Sequence, residues 1–347
     1  MDRPLIEKLL RPAAFAHPAD NLELLETHIS WIVLSGPFAY KIKKPVRFEF
    51  LDFSTTELRR HYCEEELRLN RRFAPELYVE VVPITLASGL PQLHGAGPPI
   101  DHAVRMRRID RADLLDELAR RGGLDAQVVR ILGAELARLH DILPPAHPDP
   151  ESDDPGTPAA LRLAMAQNYR QLEQSQLTAD DAARLAAIKT WWGTAYQSLL
   201  AELKARIGHD HVIDAHGDTH LGNVALVDGR ARFFDCIEFN PAFRILDGIA
   251  ELALMSMDMV ARGHGTAGNQ LVSDYLEYRG DYEGLRLLRL YQCYFAAVRA
   301  KVGLLAARAV DGQENEKSHG YRGCSWQHYL AIAASYRDPP RLFLAIT

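Results

Sequence analysis

Between residues 22 and 109, apolar and polar side chains alternate with the period of β-strands. The alternation is clearest in residues 38–43, Phe-Ala-Tyr-Lys-Ile-Lys, where the large apolar side chains share one face and Ala39, Lys41 and Lys43 share the other. Comparable segments predict further strands at residues 22–29, 31–34, 77–84 and 102–109. Residues 58–73 instead repeat apolar side chains along one helical stripe. The first part of the chain is therefore expected to form a sheet with one helix.

Helical periodicity dominates after residue 109. It predicts helices at residues 113–121, 126–140, 159–172, 179–207 and 249–260, with an acidic, proline-rich loop at residues 144–158. Tyr321, Arg322 and Trp326 precede a last predicted helix and are expected to close this part of the chain. The pattern indicates the α+β class, with a strand-rich domain at residues 1–108 and a mainly helical domain at residues 109–347.

The segment that carries the most chemistry spans residues 216–235. It reads His-Gly-Asp-Thr-His-Leu-Gly-Asn and continues as two short apolar stretches joined by Asp228-Gly229, a strong hairpin signal. The hairpin is expected to return Asp235 close to Asn223. Together, these two side chains offer the oxygen ligands that Mg²⁺ prefers. Asp218 can accept a hydrogen bond from an attacking hydroxyl. Phosphoryl transfer depends on such positioning and charge neutralisation.

These residue types and spacings resemble the aminoglycoside phosphotransferase-like kinases, whose catalytic loop reads His-Gly-Asp with an Asn five residues later, then a hairpin and a metal-binding Asp. The resemblance implies an ATP-dependent kinase with a bilobal, protein-kinase-like fold. The N-terminal lobe would be an antiparallel sheet with one helix, and the helical C-terminal lobe would carry the catalytic hairpin. It implies Asp218 as the catalytic residue, Asn223 and Asp235 as Mg²⁺ ligands, and Asp247 as a support for the catalytic-loop backbone. The alternative is a hydrogen-bonded turn followed by an ordinary hairpin.

The resemblance extends to the predicted sheet and its helix. Lys41, two residues after an alanine on the strand that follows a hairpin, is similar to the lysine that holds ATP phosphates in kinases, which favours it over Lys43. The alternative is a solvated basic run at residues 41–47. In kinases a glutamate of the next helix pairs with this lysine and orients it. Helical geometry places Glu65 and Glu66 about equally beside the apolar stripe, and Cys63 widens the apolar side toward Glu66, which favours Glu66 over Glu65. Solvated helix charges are the alternative for these glutamates.

Two further segments are expected to contact the nucleotide. Residues 102–109 are predicted to run into a hinge, where backbone groups of Met106 to Arg108 would face adenine. The turn near residues 26–30 lacks glycine, which in kinases lets backbone amides approach phosphates closely. Contacts in that turn are therefore expected from Thr27, Ser30 or the backbone.

Composition excludes several other classes of protein. The 347 residues are 47% hydrophobic and 25% charged with a net charge of -6, which argues against general nucleic-acid binding. No segment reaches the ~18 uninterrupted apolar residues of a membrane helix, and the N-terminus has no apolar run of signal-peptide length. Four widely spaced cysteines fit reduced thiols. A cytoplasmic enzyme that binds neither membrane nor nucleic acid is expected.

The resemblance also bears on domain content and substrate. Residues 41–46 and 66–72 resemble a branch of predicted kinases sometimes fused to a second ATP-binding domain, but no such domain is expected without a G-x-x-x-x-G-K-[ST] loop. The expected acceptor is a hydroxyl of a small molecule, and a housekeeping metabolite is favoured. Polycationic aminoglycosides would need an acidic pocket, for which the candidates are Asp210, Glu238, Glu251 and Asp258. The alternative is a protein kinase or an autophosphorylating nucleotide-binding regulator. The sequence does not predict the oligomeric state.

Overall fold

The computed structural model describes residues 1–310 and 324–338, which group into two compact units. The first unit contains Met1–Leu118 and Gly222–Pro241, and the second contains residues 119–221, 242–310 and 324–338. The division follows contacts within the fold and not chain order, so the segment after Leu221 belongs with the N-terminal sheet. Tyr321 and Arg322 lie outside the described residues.

The described residues form the following strands and helices. The strands are β1 (Glu23–Glu26), β2 (Ser30–Ser35), β3 (Phe38–Lys43), β4 (Arg47–Phe48), β5 (Leu51–Asp52), β6 (Tyr78–Ala87), β7 (Leu90–Leu93), β8 (Asp101–Arg107), β9 (Val212–Asp214), β10 (Val224–Val227), β11 (Arg230–Phe233) and β12 (Ile245–Asp247). The helices are α1 (Arg3–Glu7), α2 (Thr56–Asn70), α3 (Leu115–Arg120), α4 (Ala126–Ile142), α5 (Pro158–Glu173), α6 (Ala179–Gly208), α7 (Gly248–Ala261), α8 (Gly265–Arg279), α9 (Leu285–Val310) and α10 (Trp326–Ser335).

The first unit is built on a six-stranded antiparallel sheet with the order β1-β2-β3-β8-β6-β7. In its centre, Lys41 of β3 lies between Ile32 of β2 and Val104 of β8. The large apolar side chains of β3, Tyr40 and Ile42, belong to a buried core that includes residues of the N-terminal segment. The alternation of residues 38–43 therefore predicted this strand correctly.

The opposite face of the sheet packs against α2. Ala39 of β3 lies there in a buried cluster with Cys63 of α2 and Met106 of β8. Because side chains alternate along a strand, Lys41 and Lys43 project from the same face as Ala39. The strand thus directs two lysines toward a helix that carries glutamates.

Strand β7 is not among the strands predicted from the sequence, because residues 87–99 are rich in glycine and proline. Ser88 and Gly89 have φ of 52° and 76°, and this left-handed backbone closes a tight hairpin between β6 and β7. Pro91 is accommodated because β7 is the edge strand. The N–H group that proline lacks would face away from the sheet there, so no hydrogen bond between strands is lost.

The predicted catalytic hairpin is confirmed as β10 and β11. Asp228 and Gly229 form its turn with φ of 49° and 71°, as the Asp-Gly pair led us to expect. The last paired residues are Val224 and Phe233, so the hairpin returns the chain to the residue after Asn223.

The second unit is mainly helical. Its only strands among the described residues are β9 and β12, which pair antiparallel. Helix α7 is buried along nearly its whole length and packs against α8 and α9. A buried ion-pair cluster joins the end of α6 to the start of α7, because Arg206 contacts both Asp247 and Asp281.

Candidate active site

In the first unit, two lysines of β3 share one buried glutamate of α2. Lys41 Nζ lies 2.9 Å from Glu66 Oε1, and Lys43 Nζ lies 2.7 Å from Glu66 Oε2. Glu65 instead pairs with Arg68 on the outer side of the helix. Although burial opposes ionisation of Glu66, the two ammonium groups hold its pKa at about 2. The structure thus brings Lys41 together with Glu66, and it adds Lys43 to the pair.

Asp235 joins this cluster from the end of the hairpin. Its carboxylate contacts Lys41 Nζ, and its side chain is 46% exposed. Its backbone has φ of 63°, which is uncommon for a residue with a side chain and turns the strand end sharply. Burial disfavours the charged form of Lys41, but the carboxylates of Asp235 and Glu66 raise its pKa well above the usual value.

Backbone hydrogen bonds hold the segment around Asp235 at three successive residues. The N–H of Phe234 donates to the carbonyl of Asn223 at 3.0 Å. The N–H of Asp235 donates to the hydroxyl of Tyr78, and that of Cys236 donates to Oδ1 of Asn70, each at 2.9 Å. Asn223 and Asp235 are therefore tied to one another through Phe234, as the hairpin prediction required.

In the second unit, Asp218 lies among basic side chains. Its Oδ1 is 3.3 Å from Nη2 of Arg299, its Oδ2 is 3.4 Å from Nε2 of His220, and its backbone N–H donates to Nδ1 of His216. Desolvation opposes ionisation of the carboxyl group, but His220 and Arg299 outweigh it and hold the pKa of Asp218 below its usual range. Asp218 is therefore an ionised hydrogen-bond acceptor, and its side chain is 37% exposed.

The loop before Asp218 is held by a buried glutamate of α7. Glu251 Oε1 accepts hydrogen bonds from the backbone N–H groups of His216 at 3.0 Å and Gly217 at 2.6 Å. Its other oxygen lies 3.0 Å from Nε2 of His140, and Nδ1 of His140 lies 2.9 Å from the hydroxyl of Tyr275. A chain of polar groups thus connects the loop before Asp218 to α4 and α8.

The prediction that Asp247 supports the catalytic-loop backbone is wrong. Asp247 is the N-cap of α7, where it accepts a hydrogen bond from Ile249, and it also pairs with Arg206. Glu251 takes the expected role one turn later, and Asp258 Oδ2 accepts from the N–H of Leu221. Glu251 and Asp258 are seven residues apart and share a helix face, so two acids at this spacing in an apolar helix were the available signal.

The predicted nucleotide-contact segments are engaged within the sheet and its turns. The N–H of Arg107 donates to the carbonyl of Leu77, and that of Arg108 donates to the carbonyl of Pro37, each at 2.8 Å. Met106 is paired in β8 with Ala39 of β3. The adenine contact predicted for Met106 to Arg108 stays a prediction, and the N–H of Arg108 is already bonded.

The glycine-free turn between β1 and β2 closes on itself. The N–H of Thr27 donates to the carbonyl of Ser30, while Thr27 Oγ1 accepts from the N–H of Ser30, each at 2.9 Å. The Ser30 side chain is fully buried in the sheet. A nucleotide contact from this turn would therefore have to come from its tip.

A family model described as the phosphotransferase enzyme family, APH, matches residues 50–288. The chain belongs to this family. The match includes α2 with Glu66, the catalytic loop and the hairpin that leads to Asp235. This assignment agrees with the family that the sequence motif predicted.

The chain also matches longer curated proteins. Uncharacterized proteins of Mycobacterium bovis and Mycobacterium tuberculosis are 29% identical to it over 293 residues, or 83% of this chain. The chain spans 56% of the length of these relatives, about half of each.

Solved structures of kinases share the fold of this chain. A thermostable mutant of aminoglycoside phosphotransferase APH(4)-Ia in ternary complex with AMP-PNP and hygromycin B has a TM-score of 0.53 and 12% identity, and the match covers 97% of this chain and 98% of that one. A Plasmodium vivax ethanolamine kinase has a TM-score of 0.51 and 11% identity, with 92% and 82% covered. The GDP complex of aminoglycoside 2'-phosphotransferase-IIIa has a TM-score of 0.51 and 15% identity, with 92% and 93% covered. The predicted protein-kinase-like α+β fold is confirmed.

The assignment of Asn223 and Asp235 as Mg²⁺ ligands stays a prediction, and their chemistry is compatible with it. Their side chains carry an amide and a carboxylate oxygen, and Mg²⁺ is usually held by one or two such ligands together with substrate phosphates. Among the described residues, no three His, Cys, Asp or Glu side chains come together in a way that would hold a metal ion by themselves. Within that part of the chain, no helix combines the length and hydrophobicity needed to cross a membrane.

Proposed function

We propose that this phosphotransferase transfers the γ-phosphoryl group of ATP to a hydroxyl group of a small molecule in the cytoplasm. Lys41 binds the phosphates, Glu66 aims Lys41, and Asn223 and Asp235 hold Mg²⁺. Bound Mg²⁺ would neutralise charge on the phosphates. Asp218 orients the acceptor hydroxyl, and the backbone of Met106 to Arg108 faces the adenine. Residues 1–108 serve mainly to bind the nucleotide, and residues 109–347 contain the catalytic loop and the pocket that binds the acceptor.

The observation that carries this proposal is the cluster of Lys41, Glu66 and Asp235. Lys41 and Asp235 are 194 residues apart in the chain, yet their side chains are in contact, and Glu66 lies 2.9 Å from the same ammonium group. A buried lysine between two carboxylates, one of them half exposed beside an asparagine-bearing loop, has the groups needed to bind a metal-nucleotide. A structural ion pair would not need the exposed carboxylate of Asp235.

Asp218 has the properties of the acceptor-side residue. Its carboxylate is ionised at neutral pH because His220 and Arg299 outweigh the desolvation that opposes its charge. It can accept a hydrogen bond from the substrate hydroxyl and take up its proton as the oxygen bonds to the γ-phosphorus and the bond to ADP breaks. The Glu251 contact fixes the loop that carries it.

The charges around Asp218 favour a neutral or anionic acceptor over a polycation. Of the four acids considered for a cationic pocket, Glu251 and Asp258 are buried and bonded to the catalytic-loop backbone. Glu238 is buried against Lys43, and Asp210 lies near His147 at the surface. These four acids therefore do not form one exposed acidic pocket that would bind a polycation. The similar structures include aminoglycoside phosphotransferases and an ethanolamine kinase, and we expect an acceptor other than an aminoglycoside or ethanolamine here.

Incubation with a small-molecule extract and Mg-ATP tests the proposal. The products are read by mass spectrometry, and Asp218→Ala serves as the control, while calorimetry measures nucleotide binding. A phosphorylated metabolite made by the wild type and not by Asp218→Ala, with nucleotide affinity retained in the variant, is the expected result. Asp235→Ala is expected to lose the Mg²⁺-dependent part of ATP binding. Normal turnover by Asp218→Ala would contradict the mechanism, and ATP binding without a small-molecule product would favour a protein substrate or a regulatory role.

A further inference from the structure

Lys43 has no part in the function proposed above, yet it is among the most deeply buried charged side chains of the first unit. Its side chain is 1% exposed, and its ammonium group contacts Glu66 Oε2 at 2.7 Å and also Glu238. The Phe53 ring covers it at 4.8 Å. Burying an ammonium group is costly unless it is paired on several sides, so a lysine in this place needs an explanation.

Lys43 fixes the orientation of Glu66 independently of Lys41. The two carboxylate oxygens of Glu66 are divided, Oε1 to Lys41 and Oε2 to Lys43. If Lys41 moves from Asp235 toward a phosphate, Lys43 still holds the other oxygen of Glu66. Glu66 would otherwise be a buried carboxylate with one mobile partner.

Lys43 also anchors the segment that carries Asp235. Glu238 follows Asp235 by three residues and is buried against Lys43. The intervening backbone is bonded to the same sheet and helix, through Tyr78 at Asp235 and Asn70 at Cys236. The ion pair between Glu238 and Lys43 is therefore a third attachment of this segment, after the hydrogen bonds at Asp235 and Cys236.

We propose that Lys43 is a positioning residue for the metal-nucleotide site. By binding Glu66 and Glu238 together, it keeps the Asp235 segment in place on the sheet while Lys41 exchanges Asp235 for phosphate. This inference rests on the proposed function, because it concerns the same nucleotide and the same Mg²⁺ ligand. It predicts that Lys43 affects how much Mg²⁺ strengthens nucleotide binding, beyond any effect on folding.

A set of four variants separates positioning from stability. Lys43→Met leaves Glu238 buried without its ammonium partner, whereas Lys43→Met/Glu238→Gln removes both charges. Lys43→Arg keeps the charge. Lys44→Met is the matched control, since Lys44 is the next residue, undergoes the same substitution and pairs with Glu26 away from this cluster.

Each variant is titrated with AMP-PNP by calorimetry, once with Mg²⁺ and once with EDTA, and its thermal unfolding is recorded. The ratio of the two dissociation constants measures the Mg²⁺-dependent gain in affinity. For Lys43→Met we expect a lower Tm and a gain reduced about 10- to 100-fold, as for other residues that orient metal ligands. The double variant should recover most of the Tm but not the gain. Lys43→Arg should recover part of the gain, and Lys44→Met should behave as the wild type.

The outcomes distinguish the two proposals. A wild-type gain in the double variant would overturn this inference, because Lys43 would then only neutralise Glu238. The proposed function would remain in that case. If the wild type itself bound AMP-PNP neither with nor without Mg²⁺, the proposed function would fail and this inference would fail with it.

Discussion

Glu251 Oε1 accepts a hydrogen bond from the backbone N–H of Gly217 at 2.6 Å, one residue before Asp218. The carboxylate therefore determines where the catalytic loop lies, although it is not itself a candidate catalytic group. Its second oxygen is occupied by His140, which fixes the orientation of the carboxylate.

We predict that Glu251→Ala lowers kcat for phosphoryl transfer by about 100-fold, because a displacement of Asp218 by an ångström is enough for such a loss. Nucleotide affinity measured by calorimetry should be nearly unchanged, since Glu251 is not among the residues proposed to bind the nucleotide. Initial rates with the acceptor identified by mass spectrometry provide the measurement. Glu173→Ala, at an exposed glutamate paired with Lys189, is the control. Equal rates for wild type and Glu251→Ala would contradict the role assigned to this contact.

Gly217 adopts a backbone conformation that a side chain would not tolerate. Its φ is 87°, and an added Cβ would lie 2.5 Å from the carbonyl oxygen of Phe243. Gly263 has a similar φ of 84°, but a Cβ there would meet nothing within 4 Å. Comparing alanine substitutions at Gly217 and Gly263 therefore separates the cost of backbone strain from the cost of a steric clash.

Gly263→Ala is expected to cost about 1–2 kcal/mol in the free energy of unfolding, the penalty of a left-handed residue with a side chain. Gly217→Ala should cost more and should also lower the transfer rate, because the Phe243 carbonyl must move and the loop with it. Urea denaturation and initial rates measure the two effects. If the two variants were equally stable, the predicted clash would be absent.

Arg206 connects α6 with two aspartates in the interior of the second unit. Its guanidinium lies 2.7 Å from Asp247 Oδ1 and 2.6 Å from Asp281 Oδ2. Arg206→Met would leave both carboxylates buried without their cation, and we predict a loss of about 3–5 kcal/mol in the free energy of unfolding. Arg286→Met, at an exposed pair with Glu202, should cost less than about 1 kcal/mol. Urea denaturation of the two variants measures the difference, and similar losses would contradict the prediction.

Local patterns in the sequence were sufficient for the elements that position the site. The alternation of residues 38–43 predicted β3, and Asp228-Gly229 predicted the hairpin, because both depend on a few adjacent residues. Strand β7 was missed because its stability comes from pairing with β6, which outweighs the local tendency of Gly and Pro to form loops.

The partners of buried charges could be predicted less well. Nothing local distinguishes a buried Lys43 from a solvated one, since its burial depends on Glu66 and on Glu238, 195 residues away. Asp247 and Glu251 were confused for a similar reason. Both are acids near the start of α7, and only the packing of that helix decides which one faces the catalytic loop.

The lowered pKa of Asp281 makes the free energy of unfolding depend on pH. Burial opposes its ionisation, but hydrogen bonds from Arg206 outweigh burial and lower its pKa below the usual 3.8. The folded state therefore binds this proton more weakly than the unfolded chain. The resulting stabilisation is fully present above pH 3.8 and is lost as the pH falls through the lower, folded-state pKa.

We therefore predict that the stability difference between wild type and Asp281→Asn shrinks as the pH falls below the unfolded-state pKa of 3.8. Urea denaturation at a series of pH values measures this difference. Asp153→Asn, at an exposed aspartate, should show little difference from the wild type at any of these pH values. If the Asp281→Asn difference instead grew as the pH fell below 3.8, the folded protein would bind the proton more tightly than the unfolded chain. The Arg206 contact would then not be what stabilises the carboxylate.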